Sequence, residues 1–157
     1  MAGKFKNSIN RKLLIPLLGF LKQGMTPNKL ALSIALGFAI GLFPIIGVTT
    51  IICLVVSLAL KLNLAAIQLV NYFVYPLQLI LLIPMIKLGS WMLGINPIPF
   101  SITQLLDMFN ADFFSALEKL WLAHLIGIFT WAVFVLPISV FGYAILRYVF
   151  RRMSTTT

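Results

Sequence analysis

The sequence predicts an all-α fold: an integral membrane helical bundle with a Gly/Pro-broken hairpin of half-helices and amphipathic helices at the interface. Three observations carry this. Hydrophobic residues make up 61% and charged residues 10% of the 157-residue chain, at a mean hydropathy of +1.07, which leaves too little polar surface for a soluble domain. Between Lys29 and Lys61 the chain runs for 31 residues without a charge. The middle of that run is broken by Gly41-Leu-Phe-Pro44-Ile-Ile-Gly47.

The first element, residues 1–22, carries Lys4, Lys6, Arg11, Lys12 and Lys22 around the apolar patch Leu13 to Leu21. That patch is too short to cross a bilayer, so the segment is expected to lie along the headgroups with its cations on anionic lipid. No small-residue cleavage site follows it, and a removable signal peptide is not expected.

The second element is the broken hairpin, residues 26–62. Thr26 is placed as an N-cap and Pro27 at the first helical position, where no N–H is needed. As one straight helix the uncharged run would be roughly 46 Å long, beyond a hydrocarbon core of about 30 Å, yet it is too short for two full spans and a turn. Pro44 stops a helix, and Gly41 and Gly47 permit turn backbone. Two half-helices meeting inside the membrane follow, and such backbone is tolerated there only under protein or beside water. Ser33, Gly37 and Gly41 recur every four residues, the small-residue row by which membrane helices approach closely. The partner of that row is the returning half-helix, another span or a second copy of the chain. Thr49 and Thr50 open the returning half-helix. Either its unpaired N–H groups and positive dipole end face an anionic group, or the threonines cap them. Lys61 and Asn63 lie at its end, as a phosphate-headgroup contact or, for Lys61, as a snorkelling cation. Cys53 reads as a small core residue.

The third element, residues 63–94, is a span. Gln68, Asn71, Tyr75 and Gln78 are spaced 3, 4 and 3, one stripe of an otherwise apolar helix that should face the bundle interior. There the four are either glue between helices or the lining of a polar path. Pro76 frees a carbonyl near Tyr72. Leu88 to Phe100 contains Gly94, Pro97 and Pro99 and is not expected to span.

The fourth element, residues 101–119, opens with the capping box Ser101-Ile-Thr-Gln104. Leu105, Leu106, Phe109, Phe113 and Leu117 then alternate with Asp107, Asp112 and Glu118, an amphipathic helix or helix pair on the outer surface. Its acids read as a solvated face. The fifth element, residues 120–147, is a second span carrying the lone His124, with Gly127 and Trp131 on the same face. His124 is read as a packed residue or, less simply, a proton relay. Residues 148–157 form a basic tail.

If the hairpin enters and leaves on one side, ten Lys and Arg face the cytoplasm and only Lys87 and Lys119 do not, with both termini cytoplasmic. The rival, in which residues 30–60 cross fully, leaves the terminal arginines outside unless Leu88 to Phe100 also spans. The formal charge of +9 is scattered beside apolar segments, which points to membrane orientation rather than nucleic acid. One cysteine excludes a disulfide framework. No metal quartet, cofactor motif, phosphate loop or Ser/His/Asp set is present, so no cofactor and no enzymatic activity are expected.

The stretch from Gly24-Met-Thr-Pro27 through Ala31, Ala35-Leu-Gly37-Phe-Ala39-Ile-Gly41-Leu-Phe-Pro44-Ile-Ile-Gly47-Val-Thr49-Thr50 to Ala59-Leu-Lys61-Leu-Asn63, with Pro76, Pro84 and Gly89, resembles the bacterial domain-of-unknown-function family twenty sixty-two over roughly residues 22–94. That family often has Arg at the position of Lys61 and an Asn-Pro pair at Tyr75-Pro76; here Asn71 lies one turn earlier on the same face. The resemblance implies a small multi-pass protein of the bacterial inner membrane. Some members stand alone and others are joined to glycosyltransferase domains. It supplies no catalytic residue.

Two functions are expected to compete. One is a transport component for a lipid-linked or phosphate-bearing molecule, self-associating into a homo-oligomer. The other is an accessory scaffold that positions a lipid-linked glycosyltransferase through residues 1–22. An intramembrane enzyme built on His124 ranks last.

Overall fold

The structure, a computed structural model, describes residues 25–95 and 102–154. Every regular element among them is an α-helix: α1 Pro27–Gly41, α2 Thr49–Ala59, α3 Leu64–Leu93, α4 Ile102–Ala111 and α5 Phe113–Ser154. The basic segment 1–22, the capping-box Ser101, Pro97, Pro99 and the last three residues of the tail lie outside the described residues.

Each boundary has a local cause. Thr26 holds extended backbone and its Oγ1 accepts from the Lys29 N–H at 3.4 Å, with Pro27 as the first helical residue. α1 ends where Pro44 cannot donate, and the chain turns through Gly47 at φ +88, a conformation that glycine adopts without a Cβ clash. α2 closes with the Leu62 N–H on the Ser57 carbonyl at 2.8 Å and the Lys61 N–H on the Leu58 carbonyl at 3.3 Å. That is a Schellman pair, and α3 ends with the same pair around Gly94. The left-handed position is glycine at the second site and Lys61, at φ +50, at the first. Asn63 then caps α3, accepting from the Ala66 N–H at 3.1 Å.

α3 continues through Pro76 and Pro84 for 30 residues, and α5 through Pro137 for 42. The sequence boundaries at 119/120 and 147/148 are not helix ends, because neither Glu118-Lys119 nor Arg147-Tyr148 contains a breaker. The break falls instead at Asp112, whose Oδ1 accepts from the Phe114 and Ser115 N–H groups at 3.0 and 3.3 Å. The Ser115 hydroxyl donates to its Oδ2 at 2.6 Å. These bonds, the Ser115 hydroxyl foremost, hold the Asp112 carboxyl below its ordinary range.

α3 and α5 are each long and apolar enough to cross a membrane. Only 22% and 28% of their most apolar stretches are buried within the protein, so the apolar surface points outward, unlike that of a soluble core helix. α1 packs against α3, α5 and α2. Ala39, Leu42, Val74, Met85 and Val135 form one core cluster, and Ile40, Cys53 and Ile67 join α1, α2 and α3 in another.

The small-residue row of α1 finds its partner in α3. A Cβ on Gly37 would lie 2.6 Å from the Ile67 carbonyl oxygen, and one on Gly41 3.2 Å from Val74 Cβ. Within the chain, the helix that meets Gly37 and Gly41 is α3. A second close approach, unmarked by any sequence row, sets Gly89 of α3 against Thr130 and Ile126 of α5.

Candidate functional site

The hairpin formed by α1 and α2 is held at both ends, by a contact between its own arms and by contacts from α3 and α5. At its open end the Lys29 Nζ donates to the Lys61 carbonyl at 3.1 Å, so the start of α1 and the end of α2 lie together. Arg151 Nε of α5 donates to Asn28 Oδ1 at 3.0 Å at the same end. Asn28, Lys29, Lys61 and Arg151 therefore form one pole, with Asp112 and Gly94 towards the other. No Asp or Glu occurs before Asp107 or after Glu118.

At its closed end the turn is fastened to α3 and α5. Gln78 Nε2 donates to the Phe43 carbonyl, and Trp131 Nε1 donates to the Ala39 carbonyl at 2.8 Å. The Phe43 and Trp131 rings meet edge to face at 5.1 Å. Pro44 is buried against Gly127, where a Cβ would approach Pro44 Cβ to 3.2 Å. Gln78 is the fifteenth of the thirty residues of α3, so the turn abuts the middle of that helix. Further along the stripe Gln68 Nε2 donates to the Thr50 carbonyl at 3.0 Å, and Asn71 Nδ2 donates to Gln68 Oε1 at 3.2 Å.

The backbone carbonyls fix the amide orientations, because an acceptor must meet an N–H. Gln78 and Gln68 turn their nitrogens to Phe43 and Thr50, and Asn71 its nitrogen to Gln68. Asn71 Oδ1 and Gln78 Oε1 are left buried without a partner, two acceptors that call for a donor.

Three residues of the predicted stripe, Gln68, Asn71 and Gln78, thus meet the hairpin. Tyr75 does not: it is exposed, and Val74 takes the packed position. At about 100° per residue Ile67, Asn71, Val74 and Gln78 centre the buried face, and Gln68 and Tyr75 fall on its flank, where only the longer reach of Gln68 finds the hairpin. Thr49 is buried and Thr50 exposed, but neither caps α2, whose N-cap is Val48 in helical conformation without a side-chain bond. The start of α2 therefore keeps uncapped N–H groups at a tip where Ile46, Gly47, Val48 and Thr50 are exposed. Asn63 is occupied as the cap of α3, and Lys61 is exposed at the cationic pole. His124 is exposed away from the hairpin, its Nδ1–H donating to the Leu120 carbonyl of its own helix at 2.7 Å. Among the described residues no three His, Cys, Asp or Glu side chains gather at metal-binding distance.

Sequence reasoning missed the row Thr49, Cys53 and Ser57. These three are the buried residues of α2, spaced four apart like the row of α1, and that spacing was its signal. It also missed the Trp131 donation to Ala39, signalled by Trp131 standing one turn beyond Gly127.

Comparison with known proteins gives one family. A family model described as an uncharacterized protein conserved in bacteria (DUF2062) matches residues 15–157. No curated protein and no solved structure matches.

Proposed function

The chain belongs to the bacterial DUF2062 family, and from that premise we propose that it is a multi-pass inner-membrane protein that acts as a transport component for a lipid-linked or phosphate-bearing molecule. In this reading α1 and α2 enter and leave on the cytoplasmic side as a re-entrant hairpin, α3 crosses outward, and α5 returns. Both termini are cytoplasmic.

The observation that carries it is the position of the turn. The hairpin opens at the cationic pole, beside Lys29, Lys61 and Arg151, and closes against the middle of α3. At about 1.5 Å per residue α1 and α2 are roughly 22 and 16 Å long, each about half to three-quarters of a hydrocarbon core of about 30 Å. Gathering the cations at one pole agrees with the positive-inside rule. Placed in a bilayer, the turn sets the Gln78 amide oxygen near mid-depth, and the uncapped start of α2, beside Gln68, and the Asn71 amide oxygen lie between that level and the cationic face, where lipid cannot satisfy them. The positive dipole end of α2 favours an anionic group, as at the broken helices of transporters. The polar stripe fastens the hairpin and does not line a path by itself. The scaffold alternative rests on residues 1–22, which lie outside the described residues, and nothing in the described geometry favours it.

Purified protein in liposomes should move a fluorescent anionic lipid or polyprenyl phosphate between leaflets faster than protein-free vesicles do. Gly47→Leu and, without the backbone strain, Thr50→Val should slow that movement. Folded protein that moves neither probe above empty vesicles contradicts the transport reading.

A further inference from the structure

We propose that α2 is a movable arm: it lifts from α3 while α1 and the turn at Pro44 stay in place, and lifting uncovers the amide oxygen of Asn71. This stands on the packing of the helices and holds whatever the chain transports.

The turn and the arm are held by different means. The turn is fixed to two helices at once, by Gln78 on the Phe43 carbonyl, by Trp131 on the Ala39 carbonyl and by Pro44 seated against Gly127. α2 rests on three small side chains, Thr49, Cys53 and Ser57. The Ser57 hydroxyl is spent within the arm, on the Leu54 carbonyl at 2.8 Å. Among the described residues two side-chain hydrogen bonds tie the arm to the rest of the chain, one near each end and both at the surface. They are Gln68 Nε2 on the Thr50 carbonyl at 3.0 Å and Lys29 Nζ on the Lys61 carbonyl at 3.1 Å. A left-handed residue bounds the arm on either side, Gly47 at φ +88 and Lys61 at φ +50, so α2 is a straight rod between two bends. In a membrane, lipid takes the place of any apolar surface that lifting exposes. Close packing is then what holds the arm down, and three small side chains supply little of it.

The reason to lift lies beneath the arm. Asn71 is 2% exposed and sits where three helices meet. Its amide reaches Thr50 of α2 through Gln68, and its Cα stands 3.3 Å from a Cβ built on Gly41 of α1. Nδ2 is committed to Gln68, which leaves Oδ1 as an enclosed acceptor that no donor meets. A buried acceptor without a donor costs free energy, and that cost ends when a donor arrives. With the arm lifted, water from the open end of the hairpin supplies one. The seated state therefore carries a penalty that the lifted state loses, which narrows the gap between the two.

Cys53 is fully buried on the inner side of the arm, so its alkylation reports lifting. The full chain in nanodiscs is treated with N-ethylmaleimide, and each rate is divided by that of the same cysteine in protein unfolded in dodecyl sulfate. The reference is Ser33→Cys in a Cys53→Ala background, since Ser33 of α1 is equally buried and its hydroxyl is close in size to a thiol. Cys53 should react roughly tenfold faster than the α1 cysteine, because it is reached by local opening rather than by unfolding of the bundle. Gln68→Met, which removes the tie to Thr50, should raise the Cys53 rate roughly fivefold and leave the reference unchanged. Asn71→Leu keeps the branching of the side chain without the orphaned oxygen, and should lower the Cys53 rate roughly fivefold. Were Asn71 a structural contact alone, loss of its bond to Gln68 would raise that rate instead. Equal rates at the two cysteines, or faster alkylation of Cys53 in Asn71→Leu, overturns the movable arm. Should Asn71→Leu not fold, Gln68→Met decides: a Cys53 rate that it leaves unchanged, or two cysteines that it accelerates alike, overturns it as well.

Discussion

The two arms of the hairpin are both short, apolar and uncharged beyond Lys29, yet α1 buries eight of its fifteen residues and α2 three of its eleven. The difference is one of side-chain size on successive faces. α1 carries Ser33, Gly37 and Gly41 on one face and Ala31, Ala35 and Ala39 beside it, so helices approach from two sides. α2 has a single small row, Thr49, Cys53 and Ser57, and its other faces carry Ile51, Val55 and Leu58, which are 58–69% exposed. One arm is therefore a central helix of the bundle and the other is fastened along one edge. In a membrane, where water does not drive helices together, close backbone approach decides which helix becomes central.

Substitutions can break or sharpen this contrast. The largest effect is expected at the centre. Gly37→Leu drives a side chain into the Ile67 carbonyl, which cannot yield as a side chain could, and should destabilise the fold by about 3 kcal/mol, measured by unfolding in mixed micelles. Next, Cys53→Leu overfills the row that holds α2 and should cost about 2 kcal/mol. Labelling rates of single cysteines introduced into each arm should then show α2 loosened and α1 unchanged; equal loosening of both arms would mean that the arms act as one unit. Gln78→Leu removes the donor to Phe43 together with the orphaned oxygen, and should cost about 1 kcal/mol or less, as polar contacts within membranes do. Smallest of all, Val55→Leu on the outward face should change stability by less than about 0.5 kcal/mol. A loss there as large as at Cys53 would show that another surface covers α2.

Much of this was legible from residue types. Thr26-Pro27 marks the start of α1, Pro44 and Gly47 mark the turn, and the Gly37 row marks a close approach, because each requires a particular backbone or a missing Cβ. The stripe Gln68, Asn71 and Gln78 was legible as an inward face. Its targets were not, since backbone carbonyls such as those of Phe43 and Thr50 exist at every residue and leave no mark in sequence. Tyr75 was misplaced because the buried face is centred on Ile67, Asn71, Val74 and Gln78, and two of those four are apolar residues that a polar stripe does not count. The continuity of α5 was hidden by Glu118-Lys119, charges that read as an end of a span while leaving the helix intact.

The central claim is that the chain reverses direction at Pro44 partway through the bilayer, with both ends of the hairpin on one face. Single cysteines at 29 and 61, introduced as Lys29→Cys and Lys61→Cys in a Cys53→Ala background, can be labelled with a membrane-impermeant maleimide in spheroplasts and in inverted vesicles. Both positions should label only in inverted vesicles, with Lys119→Cys labelled only in spheroplasts. Labelling of 29 and 61 from opposite sides would contradict the re-entrant hairpin.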